Sequence, residues 1–161
     1  MIGDIDTLPL PIATGALSLC GIRAIGPDFR AAMTSCGATT VVCLLGADEL
    51  QARYPTYLEW LRAENTHNAV WFPIGDFGAP TLAVTDALLH ELRLRLADDE
   101  HLLMHCAGGI GRTGTIAACL LIELGMNRDD ALAHIRAHRP GAGPEVGAQI
   151  DLVNQVAARH R

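Results

Sequence analysis

The chain has 161 residues, half of them hydrophobic and 19% charged, and 18 acidic residues against 12 arginines and no lysine give it a formal charge of −6. That size and composition fit one folded domain, residues 1–161, and exclude a disordered chain. The acidic balance offers no basic face to nucleic acid or a membrane surface, and no apolar run reaches the roughly 18–20 residues that span a bilayer.

In chain order, the start Met1-Ile-Gly-Asp-Ile-Asp6 lacks the basic and then apolar pattern of a secretory leader, so a cytoplasmic protein is expected. A short strand is predicted at residues 16–20. A helix follows at 27–36, with Pro27 in its first turn and Gly37 after its end. The β-branched, apolar run at 39–45 reads as a strand buried on both faces. Helices are predicted at 49–53 and 55–64, divided by Pro55, and another strand at 69–72. After a loop at 73–80, Thr81 is placed to cap a long helix whose Leu82, Leu88, Leu89, Leu92 and Leu96 lie largely on one side. Arg93, Arg95, Asp98 and Asp99 read as its solvated face. A strand at 101–105, a glycine-rich turn and an apolar helix at 113–124 come next. Asn127 caps a helix ending near Arg139-Pro140-Gly141, and Pro144 opens the last. Strands alternating with helices predict an α/β domain: a central, mostly parallel sheet of four to five strands with helices on both faces.

Five cysteines, at 20, 36, 43, 106 and 119, are odd in number and form no Cys-x-x-Cys pair. No His, Asp or Glu cluster has metal-ligand spacing either, so neither metal nor cofactor is called for. Cys20, Cys36 and Cys119 read as small buried hydrophobes. Cys106 differs, because it opens Cys106-Ala107-Gly108-Gly109-Ile110-Gly111-Arg112-Thr113 between a strand and a helix. Glycines let main-chain N–H groups converge on one point, the following helix directs its positive end there, and Arg112 offers a planar fork to two oxygens. Such a cradle suits an anion of phosphate size, and its dipoles favour thiolate over thiol at its base. With this chain's residue frequencies, His-Cys-x5-Arg-Ser/Thr occurs by chance about once per thousand such chains.

In that motif the chain resembles the cysteine-dependent protein tyrosine phosphatases. The resemblance implies Cys106 as nucleophile forming a phosphocysteine, Arg112 binding the phosphate, and Thr113 easing the departure of the sulfur. Ala107, Gly108, Gly109, Ile110 and Gly111 would line the phosphate site. The general acid of that superfamily is an upstream aspartate on a loop. Asp76, 30 residues before Cys106 in Pro73-Ile-Gly-Asp-Phe-Gly-Ala-Pro80, matches it, with Gly75 where proline is common. Arg139-Pro-Gly followed by Gln149 resembles the dual-specificity branch and implies a glutamine that positions water. The stretch 142–148 looks inserted and leaves the alignment of Gln149 open. Residues from Val41 to Val153, including Cys43-Leu-Leu, Glu49-Leu50 and Tyr54-Pro55, resemble the cyclin-dependent-kinase-associated phosphatases.

The expected activity is hydrolysis of phosphotyrosine and phosphoserine/threonine esters on proteins, since 161 residues leave little space for a loop that deepens the pocket. Phosphoinositide or small-molecule phosphatase activity is the alternative, weakened by the absence of lysine in the cradle. A weak phosphoprotein-binding module is another, countered by the presence of both nucleophile and acid. Arsenate reduction is disfavoured by the position of Cys106. The expected partner is a phosphoprotein or small phosphate ester; oligomeric state stays open. His105 is expected to orient the loop through the backbone, Cys43 to pack in the core or form a protective disulfide with Cys106, and Glu49 to approach the site. Tyr54, Tyr57, Trp60 and Trp71 read as core, or as the rim of a cleft.

Overall fold

The computed structural model describes residues 4–160, so Met1, Ile2 and Gly3 of the start read for a leader lie outside the described residues. Five strands form one sheet: β1 (Asp6–Leu8), β2 (Ala16–Gly21), β3 (Thr40–Cys43), β4 (Ala69–Trp71) and β5 (His101–Cys106), in the order β1-β2-β5-β3-β4. β2, β5, β3 and β4 run parallel, and β1 alone is antiparallel, at the edge beside β2. β5 is therefore central. Its last residue, Cys106, pairs with Gly21, and His105 pairs with Cys43 on its other side. The carboxyl end of such a central strand is where open α/β sheets place ligands.

The helices are α1 (Ile22–Ile25), α2 (Phe29–Cys36), α3 (Ala47–Leu50), α4 (Pro55–Glu64), α5 (Leu82–Ala97), α6 (Gly111–Glu123), α7 (Arg128–His138) and α8 (Gly147–Ala158). α6 is buried over residues 111–122, with α5, α7 and α8 packed around it. On the other side of the sheet, Tyr57 of α4 is 1% exposed, and its ring lies 5.5 Å from Phe29 of α2 and 5.6 Å from His105 of β5. The Trp60 ring lies tilted against Phe29 at 4.6 Å, and the Trp71 indole donates to Leu45 O at 2.7 Å. Tyr57, Trp60 and Trp71 are thus packing groups.

Several boundaries differ from expectation. β1 and α1 were not anticipated: three or four residues carry no periodicity, and their partners fix them. α2 starts at Phe29 because the Asp28 carboxylate accepts the Ala31 N–H, which leaves Pro27 outside the helix. α3 lies at Ala47–Leu50 rather than 49–53, α6 starts at Gly111 rather than 113, and α8 starts at Gly147 rather than Pro144. The caps at Thr81 and Asn127 form as expected. Arg95 is not solvated. Its guanidinium donates to Thr66 O, His67 O and the Glu100 carboxylate, closing the turn before β4 onto α5. Cys36 is only partly buried, whereas burial pushes the Cys20, Cys43 and Cys119 thiols up to about 12.

Candidate active site

The turn joining β5 to α6 has every carbonyl from Cys106 to Ile110 engaged by a donor. His105 Nδ1 meets Cys106 O at 3.1 Å, and Ile22 N–H of α1 donates to Ala107 O at 2.9 Å. The Arg139 guanidinium donates from Nη2 to Gly108 O at 3.0 Å and from Nε to Gly109 O at 2.8 Å. The N–H groups of Gly114 and Gly143 both reach Ile110 O. In a trans peptide the N–H points away from the C=O. Holding these carbonyls in place therefore turns the N–H groups of Ala107, Gly108, Gly109, Ile110 and Gly111 to the opposite sides of their peptide planes. Two glycines are required by close approach: Gly109 has φ +71° and a Cβ there would lie 2.3 Å from Cys20 O, and one at Gly114 would lie 2.1 Å from Gly143 N.

Cys106 sits at the base of this loop, 3% exposed. Beneath it His105 is fully buried, and burial, with the Arg112 charge also opposing protonation, lowers its pKa to about 4 despite the opposing hydrogen bond to Cys106 O. The ring is neutral at pH 7, so Nδ1 carries the proton for Cys106 O and Nε2 accepts from Tyr57 OH at 2.5 Å. Burial also pushes the Tyr57 phenol well above its ordinary range and keeps it a donor.

Arg112, 3% exposed, is held by Glu49 in a two-point pair, Nη1 to Oε1 at 2.8 Å and Nη2 to Oε2 at 3.0 Å, and by Ile74 O at 2.9 Å. Burial opposes its charge, but the Glu49 carboxylate outweighs this and holds the guanidinium above its ordinary range. Asp76 Oδ1 lies 3.4 Å from Arg112 Nη2 with its side chain 66% exposed. The Asp76 loop is tied to the far end of the chain through Gln149, which is 1% exposed. Gln149 Nε2 donates to Gly78 O at 3.2 Å, and its Oε1 accepts from Glu145 N–H at 2.8 Å. The stretch 142–148 therefore packs on the cradle, through Gly143, and carries Gln149 to the acid loop. Thr113 Oγ1 is buried without a hydrogen-bond partner among the described residues.

The structure thus brings Cys106, the five loop residues, Arg112, Thr113 and Asp76 to one end of the sheet, with Gln149 bound to the acid loop. Cys43 pairs with His105 and directs its thiol at Leu45 O, 3.8 Å away. Sequence reasoning brought Glu49 toward the site but did not identify it as the partner of Arg112, and it treated Arg139 as a motif residue without its hold on the loop. An acidic residue just past a strand neighbouring the cradle strand was the available signal for the first. A cavity of about 380 Å³ between Asp48, Glu49, Ile74 and Asp76 opens beside Arg112. A larger cleft, of about 660 Å³, lies around Thr66, His67, Arg95 and Glu100 and contains none of this machinery, so size does not mark the site.

Comparison with known proteins points the same way. The family model described as Swiss Army Knife protein, DSP-PTPase phosphatase domain, matches residues 18–149. The chain is 36% identical over 95 residues to cyclin-dependent kinase inhibitor 3 of Sus scrofa, covering 57% of the chain and 43% of that protein. It is 33% identical over 112 residues to protein tyrosine phosphatase type IVA 3 of Bos taurus, covering 66% of the chain and 58% of that protein. The chain spans about half the length of these curated relatives. Its fold is similar to that of kinase associated phosphatase crystallised with serine at its catalytic cysteine, with a TM-score of 0.80 at 23% identity over 99% of this chain and 96% of the other.

Proposed function

The chain belongs to the DSP-PTPase phosphatase domain family of cysteine-dependent phosphatases, and from that premise we propose that it hydrolyses phosphate monoesters on proteins, both phosphotyrosine and phosphoserine/threonine, through a phosphocysteine. The carrying observation is the run of five engaged carbonyls above Cys106, which leaves five amide N–H groups to meet the oxygens of one phosphoryl group.

In the first step Cys106 Sγ attacks phosphorus, forming an S–P bond as the ester P–O bond breaks. Asp76 gives its proton to the departing oxygen, which would otherwise leave as a poor alkoxide or phenolate. Arg112, preset by Glu49, binds two phosphoryl oxygens. In the second step water attacks phosphorus, Asp76 takes its proton, the S–P bond breaks and phosphate leaves. Thr113 Oγ1, buried without a partner among the described residues, supplies a hydrogen bond to the departing sulfur. Gln149, bound to the acid loop, orients that water.

The charges around the site support a phosphoprotein over a polyphosphorylated inositol. Asp48, Glu49 and Asp76 line the cavity beside Arg112, and the Glu145 carboxylate lies over Gly111 on the other side. Asp48 and Glu145 repel additional phosphates on a substrate, whereas Glu49 is paired with Arg112 and Asp76 carries its proton in the first step. Five free cysteines fit the reducing cytoplasm, where we place the protein. Among the described residues no helix is long and apolar enough to cross a membrane.

The test is hydrolysis of p-nitrophenyl phosphate in EDTA. Turnover that persists in the chelator, stops with vanadate and is lost in Cys106→Ser is expected. Activity retained by Cys106→Ser would overturn the mechanism, and phosphopeptide binding without turnover would leave only a binding module.

A further inference from the structure

Arg139 has two more partners, and both come from outside the family match. Its Nη1 donates to Asp6 Oδ2 at 2.8 Å and, at a longer 3.4 Å, to Asp4 O, while Nε and Nη2 hold the Gly109 and Gly108 carbonyls, and the Arg139 side chain is only 11% exposed. Asp6 stands on the edge strand β1, opposite Leu19, and residues 4–8 precede the stretch 18–149 that matches the family. We propose that Asp6 is a positioning residue for the phosphate site, acting through Arg139 to aim the Gly109 and Ile110 amides; this rests on the phosphatase reading.

The physical case begins with geometry. A guanidinium is a flat fork, so fixing one edge fixes the direction of its other N–H groups. Asp6 takes the Nη1 corner, and the Nε and Nη2 corners are left directed at two successive carbonyls. Those carbonyls belong to the Gly108–Gly109 and Gly109–Ile110 peptide units, whose N–H groups lie on the far sides. The middle residue, Gly109, has φ +71°, a region open to several loop conformations, so an external clamp does more here than it would on a helical turn. Asp6 is itself well anchored. Leu8 is 1% exposed, and Thr7 Oγ1 lies 3.1 Å from Ser18 Oγ of β2. Asp6 also neutralises Arg139. Without it the guanidinium would keep its charge near the site while losing the shorter and only charged contact that sets its Nη1 corner. Electrostatic attraction for a ground-state phosphate would survive, and the fit to the five-coordinate transition state would weaken.

That difference sets the experiment. Asp6→Asn is expected to lower kcat for p-nitrophenyl phosphate about 10-fold, the scale of a small misalignment in a preset site. Vanadate affinity, measured by calorimetry, should fall in parallel, inorganic phosphate affinity should change less than about 2-fold, and Asp6→Glu should restore most of the loss. Thr7→Val cuts the other side-chain tie of β1 and is expected to leave both constants unchanged. Unchanged kcat and vanadate affinity in Asp6→Asn would overturn the proposal. So would losses that follow a lowered melting temperature equally in Asp6→Asn and Thr7→Val, because β1 would then be an anchor only. Vanadate binding needs no turnover, so an inactive wild-type protein would refute the phosphatase reading while this comparison still decided the role of Asp6.

Discussion

The phosphate cradle and the acid loop lie across Arg112 from each other, and they are built in opposite ways. In the cradle each carbonyl from Cys106 to Ile110 has a donor, and the helix that follows is buried along nearly its whole length. In the acid loop Asp76 and Phe77 are 66% and 60% exposed, Phe77 takes φ +56°, and few hydrogen bonds reach the segment from elsewhere, among them Gln149 to Gly78 O and the Ile74 N–H to Leu44 O. The difference separates two tasks. Stabilising charge on phosphoryl oxygens rewards dipoles fixed before the substrate arrives. Proton transfer to leaving groups of different shape rewards a carboxyl that can adjust.

The strongest way to test that division is to remove the acid and spare the cradle. Asp76→Asn is expected to lower kcat about 10²–10⁴-fold for an alkyl phosphate ester, with vanadate and phosphate affinities kept within a few-fold. If oxyanion affinity fell as far as kcat, the acid loop would be part of the binding site and the division would fail. Arg112→Lys works from the other side. An ammonium cannot satisfy Glu49, Ile74 O and two phosphoryl oxygens from a flat fork. Both kcat and vanadate affinity should drop, with about 10²–10³-fold lost in kcat/KM. Near-normal turnover with lysine would refute the two-point grip.

The two regions were also unequally legible in the sequence. The cradle announces itself because local features specify it: an apolar strand, closely spaced glycines, then an apolar helix, all within contiguous residues. Helix α4 over Pro55–Glu64 and the caps at Thr81 and Asn127 were legible for the same reason, since each depends on neighbours in the chain. What escaped notice depends on partners far away. Glu49 meets Arg112 across 63 positions and Asp6 meets Arg139 across 133. Arg95 looked solvated because helical periodicity cannot foresee a turn 28 residues upstream folding over it. β1 is three residues long, too short for any alternation to register, and is defined by its register against β2.

The floor of the cradle offers the smallest catalytic effect and the sharpest contrast with the acid loop. Tyr57 OH, His105 and Cys106 O form a neutral, buried chain beneath the nucleophile, and Tyr57 stands at its far end. Tyr57→Phe leaves Nε2 buried without a donor, so it should lower stability by about 1–3 kcal/mol at pH 7 while kcat/KM of the folded protein stays within about 2-fold. The pH dependence carries a definite sign. The folded imidazole stays neutral down to about pH 4, whereas in the unfolded chain it takes a proton near 6.5. Acid therefore favours unfolding: the stability held above pH 6.5 declines as the pH falls toward 4, by up to about 3 kcal/mol from this group. Urea unfolding of wild type and His105→Asn between pH 7 and 4 measures the difference, since the carboxylates titrate in both proteins. A steeper decline in wild type is expected. Parallel curves would mean that the ring takes up its proton without cost to the fold, and that the cradle's floor is no more rigid than the loop opposite it.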